Sequence, residues 1–194
     1  CNYRIVAEDP RLKLGLPEVS LGLIPGAGGT QRLPRLIGLA AALPILLEDR
    51  QVTGARALEI GLVDEIVSAS ELKTRSKEAI LSSMALPRQP WEGEDFVMPG
   101  VSLTSDEGQE ILATYWVKAR RRKPGLEPAP DAILTAVETG LKLPIEAGLA
   151  LEQEKFASVA ASKVVKNKIR TLFLGLNDAN GMKDRPPDIA PYEL

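Results

Sequence analysis

Glycine and proline are packed so densely into residues 10–29 that no long helix or strand fits between them. Only short apolar runs separate them, such as those at 12–14 and 19–21. The pattern predicts short strands joined by tight turns, and residues 2–7 are also typical of a strand. The punctuating residues are Pro10, Gly15, Pro17, Gly22, Pro25, Gly26, Gly28 and Gly29.

Helical periodicity takes over shortly after this segment. A first helix is predicted to end at Gly38, and the next, from 39 to about 47, is expected to kink or end at Pro44. Thr53 is the predicted N-cap of a third helix, which Gly61 closes. A short extended piece and a fourth helix follow, at 62–67 and 70–84.

Composition divides the 194 residues into four predicted regions. Residues 1–86 form a core of short strands and helices, and residues 87–102, rich in proline and acidic side chains, form a connector. Residues 103–180 are almost purely helical, and the polar tail 181–194 is expected to be flexible. Helices of the third region are predicted to begin near Thr104, Asp131, Pro144 and Ser162. The last of them carries Val165, Ile169, Leu172 and Phe173 on one face.

The sequence contains no histidine, which excludes Ser-His-Asp and Cys-His nucleophile systems, histidine bases and histidine-ligated metals. The single cysteine, Cys1, can form neither an internal disulfide nor a cysteine-rich metal site, and it fits a reducing compartment such as the cytoplasm. The 24 Lys and Arg residues nearly balance the 26 Asp and Glu residues, so no surface for nucleic acid is implied. No apolar run approaches the roughly 20 residues that a membrane span needs.

The most informative segment is 14–33, LGLPEVSLGLIPGAGGTQRL. It fits neither common phosphate-binding pattern. No Lys-Ser or Lys-Thr pair follows Gly28 or Gly29, and Gln31 stands where the dinucleotide fingerprint needs a third glycine. Glycines just before a helix nevertheless leave backbone N–H groups and the positive helix end open to a polar ligand or a carbonyl.

Glu18 is the only acidic residue between positions 10 and 47, and its immediate neighbours are apolar. A carboxyl group held in such surroundings loses hydration, which suits it to proton transfer. The alternative is that Glu18 is an exposed turn residue and that the glycines only permit close packing. Residue chemistry alone favours this second, structural interpretation.

The same residues resemble the enoyl-CoA hydratase/isomerase (crotonase) family, whose members carry Pro-Glu followed by a Gly-x-x-Pro-Gly-x-Gly-Gly-Thr-Gln-Arg-Leu run. The match extends without a gap from Pro17 to Leu33. A second family element, Ala-x-x-x-Gly-Leu-Val-Asp, lies at 57–64. The resemblance implies an α/β fold, the C-terminal portion of the crotonase spiral of ββα units, that is mostly helical with a few short strands.

The later helices resemble the multifunctional β-oxidation branch of that family. The resembling stretches are 120–123, 128–130 and 144–148, followed by Glu152 and Phe156. In that branch a linker helix, expected here from Ser162, joins the hydratase/isomerase domain to an NAD-dependent 3-hydroxyacyl-CoA dehydrogenase domain. The parent protein is therefore expected to be a bifunctional enzyme of fatty-acid β-oxidation.

The resemblance also implies roles for two residues. In family hydratases one glutamate deprotonates the water that adds to a trans-2-enoyl-CoA, and a second delivers a proton to the α carbon. Two backbone N–H groups stabilise the enolate-like thioester oxygen. Glu18 matches the proton-delivering glutamate, and Gly26 matches the loop glycine whose backbone lies beside the catalytic water and the substrate. No metal is implied.

The other glutamate and both oxyanion N–H groups match positions upstream of Cys1, so we expect a C-terminal fragment of the hydratase domain. NAD is expected only in the missing dehydrogenase domain, and the CoA thioester is the substrate of the parent protein. The fragment alone is expected to be inactive and to self-associate through the surface left by the missing half. The parent protein is expected in the cytoplasm, or in the peroxisome of a eukaryote. A non-catalytic crotonase-like scaffold or assembly module is the alternative.

Overall fold

The computed structural model describes residues 2–82, 88–93, 95–122 and 127–181. Within these ranges it contains one two-stranded parallel sheet, in which β1 (Ile5–Ala7) pairs with β2 (Glu65–Val67). Val6 is aligned with Ile66 in this register. Both strands lie inside segments that the sequence predicts to be extended. The predictions made for Cys1 and for the tail beyond 181 lie outside the described residues.

Helices account for most of the described residues, which confirms a mostly helical α/β fold with few strands. The first four are α1 (Gly29–Ile37), α2 (Leu39–Glu48), α3 (Gly54–Glu59) and α4 (Leu72–Leu81). The later ones are α5 (Asp106–Arg122), α6 (Pro128–Gly140), α7 (Ile145–Ala160), α8 (Lys163–Lys168) and α9 (Leu176–Asn180). Two 3₁₀ helices span Pro17–Leu21 and Pro90–Glu92, and a π-helical stretch, Ile169–Gly175, joins α8 to α9.

The short strands predicted near residues 12–14 and 19–21 are wrong. Leu14 makes only an isolated bridge with Val52, and the second run lies in the Pro17–Leu21 3₁₀ helix. Proline suits the first position of a helix because its φ is already helical and its missing N–H would have no partner there. Two apolar neighbours in so short a segment do not distinguish a strand from a helical turn.

Helix α2 spans Leu39–Glu48, which confirms the helix predicted from 39 to about 47, and of the two effects predicted for Pro44 the helix end does not occur. A proline inside a helix removes one bond to the carbonyl four residues earlier. That carbonyl belongs to Ala40, which is exposed, so water can replace the lost bond.

Side-chain hydroxyls cap the N-termini of several helices. Thr53 caps α3, as predicted, and Ser162 caps α8, and each accepts a backbone N–H three residues on at 3.3 Å. The pair of Thr104 with Glu107 three residues on predicts a cap for α5 at Thr104, which is wrong, because Ser105 instead accepts the N–H three residues on at 3.2 Å. Helix α6 begins earlier than predicted, at Pro128, again because proline suits the first helical position.

One apolar core joins the N-terminal helices to the C-terminal ones. Helix α6 packs against α1 and α7, and α2 packs against α1. Fully buried side chains at this junction come from both halves of the described chain: Ile24, Leu39, Leu43, Leu46, Ile133, Leu134 and Val137. The helices of the predicted third region therefore lie directly against the segment that carries the sequence motif, while the four-region division itself stays a prediction.

The apolar face predicted for the last helix is correct only for its first turns. Val165 is 1% exposed, whereas Leu172 and Phe173 are each 51% exposed. The π-helical stretch begins at Ile169, and its wider turns change the angular spacing of the residues that follow. Among the described residues, no helix combines the length and the apolar character required to cross a membrane.

The start of this helix packs against the turn that carries Glu18. Lys168 forms an ion pair with Glu127 at 2.9 Å, and its side chain is only 22% exposed. Its methylene chain lies against Gly22, where an added Cβ would come within 3.1 Å of Lys168 Cδ. The C-terminal helices therefore support the segment 17–22 from behind.

Candidate functional site

A short connection, residues 22–28, joins the Pro17–Leu21 3₁₀ helix to α1, and we call it the glycine loop. Gly28, its last residue, has a φ of 88°, in the left-handed region that glycine adopts without strain. Gly26 is exposed, and its backbone N–H donates to no acceptor within the described ranges. An exposed N–H of this kind is available to water or to a ligand.

Glu18 lies in the 3₁₀ helix just before the glycine loop and is only partly exposed. Its backbone carbonyl accepts the N–H of Leu23 at 2.9 Å, which ties the turn to the loop. Its side-chain Oε2 is buried and has no hydrogen-bond partner among the described residues. A buried carboxylate oxygen without a donor is costly, and such groups in folded proteins are candidates for chemistry or for an unseen partner. Glu18 is therefore not a fully exposed turn residue.

Gly26 rests on an aromatic ring of α7 rather than on Glu18. The three atoms nearest to a Cβ built at Gly26 all belong to Phe156, the closest at 2.6 Å. A side chain at position 26 would therefore clash with the ring. Glu18 therefore lies in the 3₁₀ helix just before the glycine loop, and Gly26 lies within the loop. Phe156 supports Gly26.

The N-terminus of α1, predicted to be open to a ligand, is instead filled by the carboxylate of Glu152 from α7. Gly28 N donates to Glu152 Oε1 at 2.5 Å, and Thr30 N donates to Oε2 at 2.8 Å. The Thr30 hydroxyl donates to the same Oε2 at 2.6 Å. Glu152 is 0% exposed, so its charge is stabilised by these three donors and by the positive helix end. No free anion site remains at these amides.

The next residues of the motif form a second buried polar group that joins α1 to α6. Gln31 donates from Nε2 to the Ala136 carbonyl at 2.8 Å, and its Oε1 accepts Nη1 of Arg35 at 3.0 Å. Arg35 Nη2 also donates to the carbonyls of Gly140 and Leu143, at 3.0 Å each. Burial lowers the pKa of Arg35, which the charge of Glu146 partly opposes.

Small residues on the facing helices make room for this group. A Cβ at Gly140 would lie 2.5 Å from the Gln31 side-chain oxygen, and one at Gly148 would also meet that oxygen. The Thr-Gln-Arg-Leu part of the motif therefore has a structural role, because it docks α1 onto α6 and α7.

An apolar cavity of about 440 Å³ borders the last residues of the glycine loop, Ala27 and Gly28. It is lined by residues of β1, of the loop and of α1, and neither Glu18 nor Gly26 is among them. The charged groups at its edge are Arg4 and Arg32. Arg32 donates to the Ala27 carbonyl at 2.6 Å, which fixes the shape of the loop from this side.

Asp64, the acidic residue of the second family element, holds the two strands together. It accepts the backbone N–H of Arg4 at 2.7 Å and the Arg4 guanidinium at 2.8 Å. Arg4 borders the apolar cavity, so Asp64 holds in place one of the side chains that line it. We assign Asp64 a structural role.

A second cavity, of about 480 Å³, lies between the end of α2 and α5, away from the glycine loop. Lys118 bridges Glu48, at 3.0 Å, and the ring of Tyr115, 4.5 Å from its centroid. Burial raises the pKa of Tyr115, and the charge of Glu48 adds to this effect.

Within the described ranges, no group of three or more Asp, Glu, His and Cys side chains could hold a metal ion.

The sequence did not predict that Glu152 binds the N-terminus of α1, although Glu152 is part of the resemblance to the family. A signal was present: Leu149, Glu152 and Phe156 have helical spacing and share one face of a predicted helix. An acidic residue between two apolar ones on a buried face needs a partner, and a glycine-rich helix start elsewhere in the chain offers one.

Comparison with known proteins supports the motif. Residues 1–89 match the family model described as enoyl-CoA hydratase/isomerase. A fatty acid oxidation complex subunit alpha of Aliivibrio fischeri is 36% identical over 197 aligned residues, which cover 100% of this chain and 27% of that protein. The subunit of the same name from Vibrio cholerae is 34% identical and is covered to 26%. The chain thus spans about a quarter of the length of the curated relatives it matches.

Solved structures with similar folds come from proteins of related description. Human mitochondrial delta3-delta2-enoyl-CoA isomerase superposes with a TM-score of 0.52 at 23% identity, over 93% of this chain and 55% of that one. An enoyl-CoA hydratase/isomerase from Pseudoalteromonas atlantica gives a TM-score of 0.51 at 18% identity, over 98% and 56% of the two chains. These likenesses confirm the crotonase-like fold predicted from the motif.

Proposed function

We propose that this chain, whose residues 1–89 match the enoyl-CoA hydratase/isomerase family model, supplies the proton-transferring half of an enoyl-CoA hydratase site in a larger fatty-acid oxidation protein. The substrate class is a trans-2-enoyl thioester of coenzyme A. The names of the curated relatives support a place in fatty-acid oxidation.

The observation that carries the proposal is the Oε2 of Glu18, which is buried and has no hydrogen-bond partner among the described residues. A buried carboxylate oxygen without a donor in a cleft or loop region is a candidate for proton transfer. Glu18 occupies the position of the family's Pro-Glu element, directly before a loop with an exposed backbone N–H at Gly26. Both features fit a site in which a carboxyl group and a loop amide contact the reacting molecules.

In the proposed reaction, the oxygen of water bonds to the β carbon of the enoyl thioester as another glutamate removes a proton from that water. The double bond becomes an enolate, whose charge lies on the thioester oxygen. Glu18, protonated at the start, gives its proton to the α carbon, which completes the addition of H and OH. The Gly26 N–H hydrogen-bonds the water oxygen and orients it. An isomerase would use the same transfer at the α carbon.

The test is an assay of trans-2-butenoyl-CoA hydration by the full-length gene product. The loss of the absorbance of the enoyl thioester measures the rate. Glu18→Gln keeps the shape of the side chain and removes the transferable proton, so kcat should fall about 10²–10⁴-fold. Glu8→Gln, a change of the same kind at an exposed residue, should leave the rate unchanged. A Glu18→Gln protein with undiminished kcat would overturn the proposal.

We further propose that residues 1–194 alone hydrate this substrate negligibly, because the family's other glutamate and its two oxyanion N–H groups match no residue of this sequence. Losing a single oxyanion donor typically costs about 10²–10³ in kcat. The same assay on the 194-residue chain checks this. A 3-hydroxyacyl-CoA dehydrogenase activity, with NAD bound outside these residues, self-association of the chain and a reducing compartment all stay predictions.

A further inference from the structure

We infer that Glu152 is a positioning residue for the proposed hydratase site, because its buried carboxylate holds the glycine loop in the shape that presents the Gly26 N–H. This inference rests on the proposed function. It gives a task to a residue more than one hundred positions away in the sequence from the motif it holds.

The contacts of Glu152 are concentrated on the end of the loop. Its two oxygens accept three hydrogen bonds from Gly28 and Thr30, at 2.5 to 2.8 Å. Charge-assisted bonds of this length are roughly twice as strong as neutral ones. The carboxylate therefore restrains the backbone at Gly28 and Thr30, and the first of these lies two residues beyond Gly26.

The same face of α7 also supports Gly26 directly. Phe156 follows Glu152 by four residues, one turn of helix, so the two side chains lie one above the other. The ring of Phe156 fills the space where a Cβ of Gly26 would lie. One helix face thus holds the loop at two points, with a charge at Gly28 and a ring at Gly26.

The burial of Glu152 indicates that it positions the glycine loop and does not contact the reacting molecules. Glu152 is 0% exposed and each of its oxygens accepts a hydrogen bond from Gly28 or Thr30, so it is shielded from substrate and we assign it no role in proton transfer. Its effect must pass through the position of the loop amides. A misplacement of about 1 Å in a group that orients a reactant can cost about 10²-fold in rate.

Glu152→Gln is the informative variant, because an amide has nearly the same shape but only one acceptor oxygen. Its NH₂ group must face either Gly28 N–H or the two donors of Thr30, so at least one loop bond is lost. Glu154→Gln is the matched control, since Glu154 lies two residues on in the same helix, 70% exposed, and pairs only with its neighbour Lys155 among the described residues.

The experiment uses the full-length gene product with trans-2-butenoyl-CoA as the substrate, together with hydrogen–deuterium exchange of the intact protein. For Glu152→Gln we expect kcat to fall about 10- to 100-fold with KM within about threefold. We expect amide exchange in residues 26–30 to be at least about 10-fold faster, with exchange in β1 and α2 unchanged. Glu154→Gln should match the wild type in both measurements.

Thr30→Val provides a second variant in case Glu152→Gln folds poorly. It removes one of the three donors and keeps the β-branched shape, so we expect a smaller fall in kcat and a smaller increase in amide exchange. Thr30→Ser keeps the hydroxyl donor and should behave like the wild type in both measurements. A uniform increase of exchange over the whole protein, with kcat unchanged below the unfolding temperature, would show a purely structural role and overturn the inference.

The two proposals fail in different ways. A wild-type protein that does not hydrate the substrate overturns the proposed function, and the positioning role with it. An active wild type whose kcat is unaffected by Glu152→Gln overturns the positioning role alone and leaves Glu18 as the proposed proton donor.

Discussion

The turn that carries Glu18 and the junction where α7 meets α1 each place a carboxylate oxygen out of contact with solvent, yet they treat it in opposite ways. At the junction, three donors and a helix N-terminus surround Glu152. In the turn, Oε2 of Glu18 has no partner within the described ranges. A fully bonded carboxylate stabilises a fold, whereas an unbonded one lowers stability and keeps its capacity to exchange a proton. The contrast therefore separates the scaffold from the proposed chemistry.

The largest effect is expected from removing the satisfied carboxylate. Glu152→Ala leaves two buried backbone N–H groups and a hydroxyl without an acceptor, and we expect the free energy of unfolding to fall by about 3–5 kcal/mol. Urea denaturation of the wild type and the variant measures this. Glu154→Ala, on the exposed side of the same helix, should change it by less than about 0.5 kcal/mol. A loss below about 1 kcal/mol for Glu152→Ala would break the comparison.

A much smaller change, of opposite sign, is expected in the turn. Glu18→Gln replaces a partly buried carboxylate by a neutral amide, which costs less to bury. No hydrogen bond of Oε2 is lost, so the free energy of unfolding should stay the same or rise by up to about 1 kcal/mol. The same urea titration applies. A fall of more than about 2 kcal/mol would mean that Glu18 has a structural partner, and the contrast with Glu152 would disappear.

A partly buried ion pair, Arg75 with Glu65, extends the comparison to a carboxylate outside the site. The hydrogen bond from Arg75 holds the pKa of Glu65 below its usual value, with a further contribution from the Tyr3 hydroxyl. A lowered carboxyl pKa stabilises the fold fully above the ordinary value of about 4.3, and this contribution is lost as the pH falls through the lower folded value.

Glu65→Gln should therefore reduce stability slightly at neutral pH and flatten the acid side of the stability profile. Unfolding by urea at a series of pH values from neutral to about 3 measures the difference. Glu110→Gln, at an exposed position of α5, is the control and should leave the profile unchanged. Identical acid slopes for wild type and Glu65→Gln would show that the pair contributes nothing measurable, as many surface pairs do.

Several local features follow from the sequence because neighbouring atoms decide them. The hydroxyl of Thr53 caps its helix as predicted, since a cap needs only a side-chain oxygen within three residues of a free N–H. The error at 19–21 has the opposite origin. Short apolar runs are compatible with more than one local structure, and whether a proline breaks a helix depends on the exposure of a distant carbonyl.

The candidate site divides in the same way. The motif by itself predicts roles for Glu18 and Gly26, and the absence of histidine excludes an imidazole as the acid or base that works with them. Only the tertiary structure decides which glutamate stays unbonded. The burial of Glu152 against α1 depends on the packing of α7 over more than one hundred intervening residues. The helical spacing of Glu152 with its apolar neighbours indicates that it needs a partner, but which donors supply the hydrogen bonds is a property of the folded environment.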